Sequence, residues 1–167
     1  MSLADESRRL LAGLVEASVE FIVVGGSGAL MHGAPIVTFD LDIVHRRTPE
    51  NVERLLAWLL RHGAYHRLDL ANRKLPPARD GLMGTGHLNL QLDLGKLDVL
   101  CALALDHGYD ELLPDTVLVE QDGLRVRLLT LEKIIEAKAG ANRAKDRIVL
   151  PVLLATLDEQ RKRKAER

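Results

Sequence analysis

Three short patterns hold residues that could do chemistry together: Gly25-Gly26-Ser27, Asp40-Leu41-Asp42 and Leu97-Asp98-Val99. In a strand, residues two apart share a face, so Asp40 and Asp42 project the same way, roughly 7 Å apart along the backbone, with Leu41 and Ile43 turned to the core. Carboxylates held side by side repel unless a cation lies between them, and Mg²⁺ takes oxygen ligands, completing its shell with water and phosphate. Asp98, on a later strand, is the candidate third metal ligand and the candidate acceptor of a hydroxyl proton. Three carboxylates admit two ions, and ions roughly 3.5–4 Å apart stabilise both the attacking and the leaving oxygen of an in-line displacement at phosphorus. Mn²⁺ suits the same donors. Gly25 and Gly26 have no Cβ, so backbone N–H groups can approach phosphate oxygens where a helix begins, and the Ser27 hydroxyl is a further donor.

Taken singly, each pattern has a plainer reading: a glycine turn is punctuation, Asp-x-Asp is a solvated strand face, and Asp98 is a surface acid. Their order and spacing together point to metal-assisted transfer at phosphorus. Competing motifs fail. No Gly-Lys-Ser/Thr follows the glycines, Gly26-Ser27-Gly28 lacks the third glycine of a dinucleotide fingerprint, and no Gly-x-Ser-x-Gly elbow occurs.

The elements that must position these residues can be read from periodicity. Leu10, Leu11, Leu14 and Val15 recur at helical spacing, predicting a helix over 5–17. Phe21-Ile22-Val23-Val24 is a β-branched run ending at the glycines, and a helical turn over 29–32 closes at Gly33. A strand with an acidic face is expected over 37–44. Thr48-Pro49-Glu50 supplies an N-cap, a first-turn proline and an early acid to a helix striped by Val52, Leu55, Leu56, Leu59 and Leu60. A strand over 65–70 and a long loop over 71–80, with Pro76-Pro77, follow. Strands over 87–94 and 97–101 flank a turn at Gly95-Lys96, and a second hairpin joins 116–120 to 124–128 at Asp122-Gly123. A helix from Thr130 to about residue 140 and another from about Ala144 close the chain. The order is mixed α+β, strands leading and helices closing.

At 167 residues one domain is expected, with a core over about 18–128 and closing helices over about 130–161. Lys and Arg (23) nearly balance Asp and Glu (24), which argues against nucleic-acid binding by bulk charge and asks any RNA partner for a local patch. The basic stretch 161–167 completes a helix whose dipole it suits. Cys101, the only cysteine, excludes an intramolecular disulfide and a multi-thiolate zinc site. No apolar run nears the ~20 residues that span a bilayer. The expectation is a soluble, unprocessed, cytoplasmic protein with no membrane partner.

Val24-Gly25-Gly26-Ser27, Phe39-Asp40-Leu41-Asp42-Ile43 and Leu97-Asp98-Val99, in that order, resemble the minimal nucleotidyltransferases of the DNA polymerase β-like superfamily. Ala29-Leu30-Met31-His32-Gly33-Ala34-Pro35 ahead of Thr38, Leu129-Thr130-Leu131-Glu132-Lys133-Ile134-Ile135 with Lys138, and Arg143-Ala144-Lys145-Asp146 are similar to its bacterial branch of abortive-infection and toxin–antitoxin proteins. The resemblance covers about 21–157. It implies a nucleotidyltransferase fold, a mixed β-sheet flanked by helices with C-terminal helices closing the site. It also implies transfer of an NMP from an NTP to an acceptor hydroxyl (of tRNA, a protein or a small molecule) with release of pyrophosphate, a phage-defence setting and a cognate antitoxin. Lys138, and Lys145 after it, would approach the phosphates. One departure is Ile36, where many relatives carry Arg; Arg46 and Arg47 are the nearby cations that could compensate. Ile36 keeps a non-catalytic binding or regulatory module open, and water as acceptor would make the site a metal-dependent phosphohydrolase.

Overall fold

The computed structural model describes residues 4–103 and 107–167. Among them the elements run α1 (Asp5–Glu16), β1 (Phe21–Val23), α2 (Gly25–Met31), β2 (Leu41–His45), α3 (Pro49–Arg61), β3 (Tyr65–His66), α4 (Arg79–Met83), β4 (His87–Leu92), β5 (Gly95–Leu100), α5 (Tyr109–Leu112) and a 3₁₀ turn (Leu113–Asp115). Then follow β6 (Thr116–Gln121), β7 (Leu124–Leu129), α6 (Leu131–Ala141) and α7 (Ala144–Ala165). The strands form one mixed sheet in the order β3-β4-β5-β2-β1-β7-β6. The α+β class expected from the sequence is the one observed.

Period-two alternation sorts the strand residues to opposite faces. Leu41, Ile43, Leu97, Val99, Val23 and Leu128 join a core with Leu10, Leu14, Leu55, Trp58 and Leu59 of α1 and α3. Ile22, Val44 and Leu129 pack on the other face with Ile134, Leu153 and Leu157 of α6 and α7. Each fully buried Leu or Ile contributes about 1.5–3 kcal/mol. Asp42 and Asp98 alternate with residues of the first core, so burying Leu41, Ile43, Leu97 and Val99 aims both acids at the α6–α7 side.

Local signals explain the boundaries. The Thr48 side chain caps α3 by accepting from the Asn51 amide, with Pro49 in the first turn, and Thr130 caps α6 by accepting from the Lys133 amide. Asp122 and Gly123, both at positive φ, make the β6–β7 turn. α6 stops at Asn142, in the left-handed conformation. Gly28 lets α6 lie against α2, since a Cβ there would sit 2.9 Å from Ile134 Cδ1.

Five expectations are corrected. The acidic strand begins at Leu41, leaving 37–40 as a loop in which Val37 and Phe39 are exposed, so packing gives this stretch no reason to join the sheet. The glycines lie within α2 rather than before it. The strand at Tyr65 is two residues long, and part of the expected long loop is α4. The β4–β5 turn falls at Asp93-Leu94, with Leu92 paired to Gly95, because the Asp93 amide donates to His62 O and fixes the chain reversal there. No helix among the described residues is long and apolar enough to cross a membrane.

Candidate active site

The register of three strands builds the acidic wall. β2 and β5 are parallel with Asp42 opposite Asp98, and β4 runs antiparallel to β5 with Asn89 opposite Asp98. Asn89 Nδ2 donates to Asp98 Oδ1 at 3.0 Å. Asp40 stands just ahead of β2, held through its carbonyl, which accepts from Ser27 Oγ at 2.7 Å and Thr38 Oγ1 at 3.1 Å. The Asp42 amide donates to Ser27 Oγ at 3.1 Å.

These bonds revise the part expected of Ser27. Its side chain is fully buried and its single hydroxyl proton is committed to the Asp40 carbonyl, so it positions both aspartates instead of donating to phosphate. Ser27→Ala would leave the Asp42 amide and Asp40 carbonyl short of partners, a cost of about 1–3 kcal/mol. Thermal unfolding should show Tm lowered by about 2–4 °C for each kcal/mol at this chain length, and an unchanged Tm would mean Ser27 carries no such role.

Gly25 and Gly26 line the same cavity as the aspartates. Gly25 has φ +60°, and a Cβ added there would lie 2.7 Å from Asp42 Oδ2, so the bare glycine backbone is pressed directly against the carboxylate. Asp42 is largely buried. That burial first, then the charge of Asp98, a hydrogen bond to it and the charge of Asp40, raise its pKa from 3.8 to about 7, with Lys138 opposing. The acids therefore form a crowded anionic group that favours a bound cation or proton.

The cavity has a volume of about 840 Å³, within the range of small-molecule sites. Lys138, Arg143 and Lys145 of the α6–α7 corner line it together with the acids. Asp146, wholly buried, anchors that corner: Lys138 Nζ lies 3.4 Å from its Oδ1 and Arg143 Nε 2.8 Å from its Oδ2. Acidic and basic side chains thus line one space, as a metal–polyphosphate ligand would need. Phe39, 79% exposed, stands at the lip.

Arg67, like Asn89, is a residue that the sequence reading missed. Its guanidinium reaches Asp98 Oδ1 at 2.7 Å and Asp40 Oδ2 at 3.3 Å. Among the described residues no group of three or more His, Cys, Asp or Glu side chains is placed to hold a metal ion. The expected cage of Asp40, Asp42 and Asp98 is therefore not assembled as three ligands, because Arg67 stands against two of them. Asp42 and Asp98, side by side and all-oxygen, remain a donor pair that fits a hard divalent cation.

Neither Arg46 nor Arg47 makes up for Ile36. Arg46 pairs with Glu20 and Asp110, and Arg47 donates to the Gly84 carbonyl. Ile36 itself packs against both cores and lines the cavity. His32 hydrogen-bonds the Leu129 carbonyl through Nε2, and burial lowers its pKa. Cys101 is a buried thiol in contact with the Gly81 carbonyl.

Solved structures share this arrangement of elements. The lincosamide antibiotic adenylyltransferase LnuA, in its lincomycin-bound form, superposes with TM-score 0.63 at 12% identity over 92% of this chain and 98% of that one. The fold is a nucleotidyltransferase fold. The antibiotic-resistance factor ANT(2'')-Ia gives TM-score 0.57 at 15% identity over 98% and 96% of the two chains. TM1012 of Thermotoga maritima, assigned as a nucleotidyltransferase, gives 0.56 at 16% identity over 96% and 91%. No protein-family model and no curated protein sequence matches the chain. The nucleotidyltransferase fold thus rests on the path of the chain.

Proposed function

We propose that the chain is an Mg²⁺-dependent nucleotidyltransferase that moves an NMP from an NTP to an acceptor hydroxyl and releases pyrophosphate. The observation that carries this is one cavity lined both by the paired Asp42 and Asp98 and by Lys138, Arg143 and Lys145. Bound divalent metal would polarise the α-phosphate and neutralise charge on attacking and leaving oxygens. Asp42 and Asp98 would hold it, with Asp40 joining as a third ligand. Asp98, already accepting from Asn89, would also take the acceptor's proton. Gly25 and Gly26 give phosphate oxygens close access to backbone, and the basic corner receives the remaining phosphates.

A small-molecule acceptor fits best. The cavity is of small-molecule size, the net charge of −1 offers no broad surface to RNA, and one structural neighbour carries lincomycin while another is an antibiotic-resistance factor. The toxin–antitoxin setting that the sequence resemblance implies predicts label on tRNA instead. The test incubates the protein with each α-labelled NTP, Mg²⁺ and, separately, hydroxyl-bearing small molecules, total tRNA or protein extract, with Asp42→Ala as control. Label on an acceptor only with intact protein supports transfer and names nucleotide and acceptor. Label released as free nucleotide would make the chain a phosphohydrolase, and equal labelling by Asp42→Ala would remove that carboxylate from the chemistry. The absence of a cation at Ile36 favours a second reading, a binding module, which would take up NTP without turnover.

Lys138 supplies a further prediction. Lys138→Ala leaves Asp146 paired with Arg143 while removing a charge-assisted phosphate contact. KM for the NTP should rise about tenfold, the equivalent of about 1.4 kcal/mol, with a smaller change in kcat. An unaltered KM would show that the phosphates lie elsewhere.

A further inference from the structure

Arg67 is placed more firmly than a surface arginine. Its backbone amide donates to the Asn89 carbonyl at 3.0 Å and its Nη1 to the Leu90 carbonyl at 3.1 Å, so the residue is pinned to β4 on the side where β3 pairs. Its side chain is only 16% exposed, as is that of Asp98. The guanidinium contacts Asp98 on β5 and Asp40 ahead of β2, and Asp98 Oδ1 accepts from Asn89 while forming an ion pair with Arg67. Removing an arginine that serves only as structural support would loosen these carboxylates. Removing one that competes for them would free them.

Resting on the metal-dependent reading above, we infer that Arg67 is an internal counter-ion of Asp98 and Asp40, a positioning residue whose guanidinium must leave them before a divalent cation can take both. The physical reason is charge. Three aspartates in one partly buried group repel, and a cation delivered by the chain offsets that repulsion until an outside cation replaces it. The backbone bond to Asn89 fixes the Cα of Arg67, so the exchange asks for rotation of a long side chain and leaves the strand in place. Metal binding and Arg67 binding are then mutually exclusive at Asp98, and they oppose one another energetically. The same exchange frees a guanidinium at the cavity, where the terminal phosphates of an NTP are its natural next partner.

The test is Mn²⁺ titration of the full chain without nucleotide, followed by electron paramagnetic resonance, for wild type, Arg67→Ala, Arg67→Gln and Arg67→Lys. Arg67→Ala and Arg67→Gln should bind Mn²⁺ at least about tenfold more tightly than wild type, and Arg67→Lys should gain less, because it keeps a competing charge. Both neutral variants should melt earlier than wild type without metal and recover more on adding Mn²⁺. Unchanged or weaker Mn²⁺ binding in both neutral variants overturns the inference, since a purely supporting arginine gives that result. The readings also separate. If wild type transfers an NMP while the neutral variants bind Mn²⁺ no better, only the exchange fails; if no protein in the series binds Mn²⁺, the metal-dependent reading fails with it.

Discussion

Asp42→Asn should abolish nucleotidyl transfer and, without metal, make the protein more stable at alkaline pH. The two effects share one cause. Asp42 is buried beside Asp98 and Asp40, and its pKa is raised from 3.8 to about 7. A group whose value is raised on folding stabilises the fold fully below its ordinary value, and that contribution is lost as the pH climbs through the raised one. Wild type should thus lose stability between about pH 4 and pH 7 through this residue, on the order of a few kcal/mol. Asparagine has the same shape and no charge to desolvate, so the variant should escape that loss. Transfer should fall about a thousandfold or more, since several kcal/mol of transition-state stabilisation depend on the metal ligand. Thermal melts across pH, paired with label transfer, check both halves. A variant that is inactive and also less stable at alkaline pH would make Asp42 a structural residue.

Gly25→Ala is the second large effect. The φ of +60° costs a side-chain-bearing residue about 1–2 kcal/mol. The added Cβ would also meet Asp42 Oδ2 at 2.7 Å, Cγ at 3.1 Å and Cβ at 3.3 Å. Asp42 is short, buried and fixed by β2, so the contact cannot be relieved by swinging a long side chain aside. Together these should cost about 2–4 kcal/mol, and displacing the carboxylate by about 1 Å should cost transfer about a hundredfold. Gly26→Ala is the control, because its Cβ would meet Thr38 Oγ1 at an ordinary 3.5 Å. Denaturant titration and kcat/KM measured on both variants check the contrast. Equal losses would mean that the turn tolerates no substitution at all, and that the contact with Asp42 is not what matters.

Much of the fold was legible because the signals were local. Thr48-Pro49 marks the start of α3, Asp122-Gly123 marks a hairpin, and the alternation of Leu41, Asp42 and Ile43 tells core from cavity. The convergence of Asp42 with Asp98 needed one further step, the parallel pairing of β2 with β5, which the order of motifs suggested through resemblance. Arg67 was beyond reach. It follows a two-residue strand with no periodic pattern, and its partners lie 27 and 31 positions away. Asn89 could have been found: its pairing with Asp98 follows from a turn at Asp93-Leu94, whereas the turn expected at Gly95-Lys96 shifts the register. Gly95, at φ +137°, sits at the start of β5, where its backbone reads as a turn signal without making one. Ser27 was misjudged because a hydroxyl beside glycines reads as a free donor until its burial is known.

The parallel pairings have a consequence for how the molecule comes into being. Val23 is joined to Leu128 and Asp42 to Asp98, so strands distant in sequence must meet directly, and the loop-closure cost of such contacts is met before they repay it. During synthesis, the residues of β1 and β2 emerge long before those of β7 and of the basic corner at Lys138. A chain that stops before α6 therefore holds Asp40, Arg67 and Asp98 but lacks Lys138, Arg143 and Lys145, so the acids and their arginine precede the cations that would grip a nucleotide.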